Sequence, residues 1–130
     1  MGKVTGIKHC ILVVDDDDDI LFLMKQTLQS HGYNTTISPN GENIMDILTH
    51  SPPDMILLDI QMKGIDGGTV CQLIKTNAST ADIPLLMFSS NEDIAIITKQ
   101  CGADGYIKKP FEAEKFNEAI EHVLNPTKIN

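Results

Sequence analysis

Four short apolar runs stand out along the chain, and each stops abruptly at polar or charged residues. The runs HCILVV, MILL, PLLMF and GYI begin at His9, Met55, Pro84 and Gly105. Unbroken apolar runs of this length are typical of strands that are buried on both faces of a parallel sheet. A fifth run, NTTIS from Asn34, is β-branched but less apolar. We therefore predict five strands, with the second at an edge of the sheet.

Between these runs the apolar residues recur at the spacing of an amphipathic helix, close to i, i+3, i+4 and i+7. One stripe follows each predicted strand, and the five stripes are Ile20, Leu23, Met24 and Leu28; Ile44, Ile47 and Leu48; Val70, Leu73 and Ile74; Ile94, Ile97 and Cys101; and Phe116, Ala119, Ile120 and Val123. Gly32, Gly102 and Asn125-Pro126 stand where the first, fourth and fifth helices are expected to end.

Strands that alternate with helices indicate a parallel sheet with right-handed crossovers. Five such units favour an α/β fold, a doubly wound five-stranded parallel sheet of order 2-1-3-4-5 and of flavodoxin-like (βα)5 type. We predict one domain over residues 8–124, with an N-terminal extension at 1–7 and a C-terminal tail at 125–130.

Polar residues follow four of the predicted strands. Asp15 and Asp16 follow strand 1, Asp59 follows strand 3, Ser89 ends strand 4, and Lys109 follows strand 5. Open α/β sheets bind ligands beyond the carboxyl ends of their strands where the strand order reverses, here between strands 1 and 3. These residues are therefore expected at one edge of the sheet.

Composition excludes some classes of function. The chain has 130 residues, a normal single-domain length, and a formal net charge of −8, which argues against nucleic acid and anionic membranes as partners. No apolar run approaches the roughly 18 residues of a membrane span, and we expect a cytoplasmic protein. Cys10, Cys71 and Cys101 lack a CxxC pattern and are interpreted as reduced, mostly structural residues.

Three carboxylates that converge on one crevice must protonate or bind a cation. At ~4 Å and an effective dielectric constant of ~20, each like-charged pair costs about 4 kcal/mol before relaxation. Oxygen ligands with room for water favour Mg²⁺, with Mn²⁺ as an alternative, over zinc. The neighbouring Asp17, Asp18 and Asp19 are instead expected to be solvated at a helix N-terminus, where carboxylates suit the helix dipole. An EF-hand is excluded because Ile20 replaces the required glycine and Gln26 the bidentate glutamate.

The sequence closely resembles the response-regulator receiver domains of two-component signalling, over essentially all of residues 8–124. Four motifs carry the resemblance, in order along the chain: ILVVDDD at 11–17, LLDIQM at 57–62, MFSS at 87–90 and GYIKKPF at 105–111. It implies a phosphoacceptor switch domain of a phosphorelay, which catalyses only its own phosphorylation and dephosphorylation and is otherwise not an enzyme.

The resemblance also implies roles for seven residues around one site. These are Asp59 as phosphoacceptor; Asp15, Asp16, Asp59 and the backbone carbonyl of Gln61 as ligands of Mg²⁺; Ser89 as switch hydroxyl; Lys109 as phosphoryl-binding lysine; and Tyr106 as the aromatic residue whose rotamer reports activation. Ser90, next to Ser89, is interpreted as a small residue of the phosphoryl-binding region that leaves the acceptor accessible. The peptide bond between Lys109 and Pro110 is expected to be cis.

By the same resemblance, the phosphoryl donor is a sensor histidine kinase or a phosphotransfer protein. The recipient of the signal is a downstream effector protein or a missing output domain. Helix 4, strand 5 and helix 5 are the expected output surface and the expected site of a phosphorylation-dependent dimer. The sequence departs from the family pattern at Lys63, where Pro is frequent, at Asp18, also frequently Pro, and at Ser89, where Thr is commoner; no catalytic group is lost.

Three other functions are possible for a fold of this type. A pseudo-receiver that only binds proteins is the alternative to a phosphorelay domain, although every catalytic position is filled. A phosphatase or phosphomutase with an aspartate nucleophile needs a second acid two residues after Asp59, where Gln61 stands. A flavodoxin-like electron carrier needs a hydroxyl-rich phosphate loop after strand 1, and the five aspartates there would repel the phosphate of FMN.

Overall fold

The computed structural model of the chain describes residues 9–41 and 43–124. Its strands are β1 (Cys10–Val14), β2 (Asn34–Ser38), β3 (Met55–Asp59), β4 (Gln61–Met62), β5 (Ile65–Asp66), β6 (Leu85–Ser89) and β7 (Gly105–Lys108). Its helices are α1 (Asp18–Ser30), α2 (Ile44–His50), α3 (Gly67–Thr76), α4 (Ile94–Cys101) and α5 (Ala113–Leu124). The predicted extension at 1–7, the tail at 125–130 and the helix stop at Asn125-Pro126 lie outside the described residues.

The five longer strands form one parallel sheet in the order β2-β1-β3-β6-β7. This confirms the predicted order 2-1-3-4-5 and the flavodoxin-like fold, and it places the less apolar strand β2 at an edge. The sequence did not predict β4 and β5, which pair as a short antiparallel hairpin directly after β3.

The core lies in two layers, one on each face of the sheet. Alternate residues of each strand point to opposite faces, so that Ile11 and Val13 pack with α1 and α5, whereas Leu12 and Val14 pack with α2, α3 and α4. β1, β3 and β6 are therefore buried on both faces, which explains their unbroken apolar runs.

The prediction that Leu23 and Leu73 lie in the core is wrong. Leu23 and Leu73 are 52% and 53% exposed, whereas Leu21 and Cys71 are 2% and 0% exposed. Successive helical residues are about 100° apart, so a stripe that contains Met24 can include either Leu21 or Leu23. The sequence pattern alone did not decide which side of each stripe faces the sheet.

The helix ends follow the local sequence. Asp17 caps α1, and its side chain accepts hydrogen bonds from the backbone N–H groups of Asp19 and Ile20, as the interpretation of a solvated helix N-terminus required. Gly102 ends α4 at a φ of 84°, a left-handed conformation that favours glycine. No helix in the described part of the chain is long and apolar enough to cross a membrane.

Candidate functional site

Three carboxylates meet where the central strands of the sheet end. Asp15 and Asp16 directly follow β1, and Asp59 is the last residue of the neighbouring strand β3. One oxygen from each carboxylate lies within 4.8 Å of the others. Asp15 and Asp59 are only 1% and 5% exposed, and Asp16 is half-buried. A donor set made of carboxylate oxygens fits a hard cation such as Mg²⁺ or Mn²⁺.

Asp15 is fixed from both sides. Its Oδ1 accepts a hydrogen bond of 2.9 Å from the backbone N–H of Asp17, at the start of α1. Its Oδ2 accepts one of 3.2 Å from the ammonium of Lys109. The turn from β1 into α1 therefore orients this carboxylate before any ligand binds.

The contacts that stabilise the carboxylate of Asp59 are longer than those of Asp15. The backbone N–H of Gln61 reaches its Oδ1 at 3.4 Å, and the Nζ of Lys109 lies 3.8 Å from the same oxygen. Burial, and then repulsion by Asp15, raise the pKa of Asp59 to about 6, and these two donors offset only part of the effect. An unliganded Asp59 is thus a destabilised carboxylate, and a cation beside it would favour its charged form.

The ammonium of Lys109 is a positive charge of the chain itself beside Asp15 and Asp59. Its backbone N–H donates to the carbonyl of Ser89 at 2.9 Å, which extends the pairing of β6 with β7. Its ammonium lies 4.7 Å from the ring centroid of Phe88, a favourable cation–π distance. The peptide bond between Lys109 and Pro110 is cis, which confirms that prediction.

Asp16 has a partner that the sequence did not reveal. Its Oδ2 accepts a hydrogen bond of 2.7 Å from the backbone N–H of Lys63, in the turn between β4 and β5. The only sign of this turn in the sequence is Gly64, and a single glycine does not identify a hairpin. In the structure Gly64 has a φ of 74°.

The remaining predicted residues surround the site to different degrees. Ser89 is buried at 2% exposure, and its Oγ accepts a hydrogen bond of 3.1 Å from the backbone N–H of Asn91. Ser90 is exposed and lines an apolar pocket with Lys109. Tyr106, in β7, is 46% exposed. The structure therefore brings Asp15, Asp16, Asp59 and Lys109 together, with Ser89 at the end of the adjacent strand, and leaves Ser90 and Tyr106 facing solvent.

Known proteins share this arrangement of elements. The family model described as response regulator receiver domain matches residues 11–121. The DNA-binding dual master transcriptional regulator RpaA from Synechocystis is 34% identical over 119 residues, which are 90% of this chain and 49% of RpaA. The chain spans about half the length of the curated relatives that it matches.

Solved structures agree with the sequence matches. The N-terminal domain of the response regulator receiver protein from Methanoculleus marisnigri is 37% identical, with a TM-score of 0.70 over 89% of this chain and 96% of that domain. The receiver domain of a signal transduction histidine kinase from Syntrophus aciditrophicus is 27% identical, with a TM-score of 0.83 over 94% of each chain. From the family match, the parallel sheet and the cluster of aspartates at its carboxyl edge, the chain belongs to the response regulator receiver domains of two-component systems.

Proposed function

We propose that this domain is a phosphorelay switch that accepts a phosphoryl group on Asp59 with the help of Mg²⁺. Response regulator receiver domains interact with histidine kinases and output effectors. The observation that carries the proposal is the placement of a buried carboxylate, Asp59, within 4.8 Å of two further carboxylates and beside one lysine ammonium.

The proposed ligands of Mg²⁺ are Asp15, Asp16, Asp59 and the backbone carbonyl of Gln61, and Mn²⁺ suits the same oxygen donors. The bound cation would supply positive charge against the oxygens of the transferring group. The chain's own residues prepare the site for it, because Asp15 is held by Asp17 and Lys109 and Asp59 is held by Gln61.

Transfer joins an oxygen of Asp59 to phosphorus. A phosphohistidine of a sensor kinase or phosphotransfer protein is the proposed donor, so the new P–O bond forms as the P–N bond breaks, and the bonding electron pair returns to the imidazole nitrogen. Asp59 must be ionised to attack, and a pKa of about 6 leaves most of it ionised at about pH 7. The domain thus acts as the catalyst of its own phosphorylation and dephosphorylation only.

Lys109 and Ser89 are the proposed phosphoryl-binding groups. The ammonium of Lys109 already reaches Asp15 at 3.2 Å and Asp59 at 3.8 Å, so a phosphoryl oxygen on Asp59 would compete for it. Ser89 offers a hydroxyl from the end of β6, and the exposed Ser90 beside it leaves the edge of the sheet accessible.

The proposed output surface consists of α4, β7 and α5, with a downstream effector, an output domain or a second copy of the domain as its partner. Displacement of the Ser89 hydroxyl towards the phosphoryl group would alter the packing beneath α4, and Tyr106 is the residue proposed to turn inward in response. Couplings of this type typically carry 1–3 kcal/mol, roughly a 5- to 150-fold shift.

Acetyl phosphate tests the proposal directly. With Mg²⁺ the wild-type domain should gain one phosphoryl group by intact mass, and the Asp59→Asn variant should gain none. EDTA should stop the labelling, and Asp16→Ala should weaken Mg²⁺ binding in calorimetry.

Two outcomes would contradict this function. Unchanged labelling of the Asp59→Asn variant would move the acceptor elsewhere. A wild-type domain that folds, binds Mg²⁺ and takes no label from acetyl phosphate or a phosphohistidine donor would favour the pseudo-receiver, a protein-binding module without phosphorylation.

A further inference from the structure

We infer that the backbone N–H of Lys63 is a positioning group for the cation site, through which the β4–β5 hairpin holds Asp16 ready for Mg²⁺. The inference rests on the proposed function and deepens it. It assigns part of the Mg²⁺ affinity to the β4–β5 hairpin, whose one proposed ligand is the backbone carbonyl of Gln61.

The three carboxylates differ in what holds them. Asp15 and Asp59 are buried and each receives a backbone N–H from two residues further along the chain, at Asp17 and Gln61. Asp16 is less buried, and within the described part of the chain its carboxylate has one hydrogen-bond donor, the N–H of Lys63 at 2.7 Å, from 47 residues away. The orientation of Asp16 therefore depends on a different element of the fold.

The hairpin turn fixes where that N–H points. Lys63 and Gly64 connect Met62 to Ile65, which lie opposite each other in the β4–β5 pair. Gly64 has a φ of 74°, and no described residue other than glycine has a positive φ. A negative φ at Lys63 followed by a positive φ at Gly64 matches a type II turn and excludes types I, I′ and II′.

The bond leaves Asp16 able to bind a cation. A carboxylate offers about four lone-pair sites on two oxygens, and the N–H of Lys63 occupies one of them on Oδ2. The other oxygen remains available, while the side chain no longer has to be ordered when the cation arrives. The same N–H stabilises the negative charge of Asp16 beside two further carboxylates.

Linkage makes the effect reciprocal. If the hairpin favours the cation-bound site, then the bound cation must favour the closed hairpin by the same factor. The amide of Lys63 should therefore exchange with solvent more slowly when Mg²⁺ is present, whether or not Asp59 is phosphorylated.

The side chain of Lys63 acts separately from its backbone. It is exposed, and its positive charge near the site opposes cation binding, although solvent screens the effect. Removal of the side chain should leave the Mg²⁺ affinity unchanged or slightly higher, whereas removal of the N–H should lower it.

Two substitutions at this position separate the two contributions. Proline suits the first central position of a type II turn but has no N–H, and alanine keeps the N–H without the charge. In calorimetry on the full 130-residue chain, Lys63→Pro should weaken Mg²⁺ binding roughly threefold to tenfold. Lys63→Ala should bind Mg²⁺ within about twofold of the wild type, or more tightly.

The outcomes distinguish this inference from the proposed function. A wild type that binds no Mg²⁺ would contradict the proposed metal site itself. If the wild type binds Mg²⁺ and Lys63→Pro binds it equally well, or if Lys63→Ala loses as much affinity as Lys63→Pro, the positioning role alone is wrong.

Amide exchange in the wild type gives an answer even if Lys63→Pro fails to fold. Mg²⁺ should slow exchange at the amide of Lys63 by roughly the same threefold to tenfold factor. The amide of Gly32, which donates to Gln29 at the far end of α1, is the control and should not respond. Equal exchange at Lys63 with and without Mg²⁺ would overturn the inference.

Discussion

The two ends of the sheet each place a lysine beside aspartate, and they use it differently. At the amino end, the ammonium of Lys75 contacts Asp104 at 2.8 Å and donates to the backbone carbonyls of Ala81 and Ile83 at 2.9 and 2.7 Å. At the carboxyl end, the ammonium of Lys109 reaches Asp15 at 3.2 Å and Asp59 at 3.8 Å.

The hydrogen-bonding capacity of the groups explains the contrast. Lys75 has three donors and three oxygen partners, and Asp104 also accepts from the backbone N–H of Leu85 at 2.8 Å. The ammonium of this pair is therefore saturated, and the pair ties α3 to the starts of β6 and β7. One ammonium at the other end faces a cluster of three carboxylates. The ammonium of Lys75 has no donor left for a ligand, whereas the unsaturated cluster retains capacity for the proposed cation and phosphoryl group.

The largest expected effect comes from breaking the saturated pair. Lys75→Met keeps the length of the side chain but leaves two carbonyls without their donor and Asp104 without its counter-charge, which should lower the free energy of unfolding by about 3 kcal/mol. Urea denaturation measures this, with the exposed Lys99→Met on α4 as a control expected to change it by under about 0.5 kcal/mol. The Mg²⁺ affinity of Lys75→Met should match the wild type; a loss there would show that the two ends are coupled.

Gly67 tests the carboxyl end without changing a charge. A Cβ on Gly67 would overlap the carbonyl oxygen of Asp59 and lie 2.7 Å from the Cα of Ile60, so Gly67→Ala must displace the backbone at Asp59. We expect a loss of about 2 kcal/mol of stability together with slower labelling by acetyl phosphate. In Gly68→Ala the nearest side-chain atom is 3.4 Å away, and this variant should keep the labelling rate. Equal rates in both variants would contradict the steric argument.

Ionised Asp59, the proposed acceptor, should lower the stability of the fold at neutral pH. Its pKa is raised to about 6, so the folded state binds this proton more tightly than the unfolded chain. The contribution to stability is complete below about pH 4 and is lost as the pH rises through 6. In EDTA, Asp59→Asn should be more stable than the wild type by on the order of 2 kcal/mol near pH 7.5, with no difference near pH 4. A constant difference across this range would show that another group is responsible.

The smallest expected effect is the stabilisation by the cation. At a free Mg²⁺ concentration of ten times Kd, a ligand that binds only the folded state adds about 1.4 kcal/mol. The wild type and Lys75→Met should gain the same increment in paired urea titrations, because the saturated pair lies at the opposite end of the sheet. Asp16→Ala should gain less, and an unequal gain in Lys75→Met would argue that the ends are not independent.

The sequence predicts the positions of those site residues that lie at the carboxyl end of a long apolar strand. Asp15, Asp59 and Lys109 follow apolar runs whose strand character is unmistakable, and parallel strands bring their carboxyl ends to one edge. The contact between Asp16 and Lys63 depends instead on a two-residue turn within a hairpin of two-residue strands, which are too short to give an alternating pattern.

Other features were hidden for similar reasons. Lys75 looks in the sequence like any lysine near the end of a helix, since its partners Ala81 and Ile83 lie in a loop without periodicity. Leu23 and Leu73 were misplaced because apolar residues flank both sides of each helical stripe. The order of the strands, by contrast, followed from the alternation of elements together with the rule for crossovers.

The separation of Lys109 from Asp15, 94 residues along the chain, has a consequence for synthesis on the ribosome. The chain emerges from its N-terminus, so the three acidic groups appear before the ammonium that contacts Asp15 and Asp59, and β7 is the last strand to emerge. A nascent chain of this length would hold Asp59, the proposed acceptor, but not the ammonium of Lys109. We expect a chain truncated after residue 104 to take no label from acetyl phosphate, so that phosphorylation would report only molecules whose synthesis and folding have passed β7.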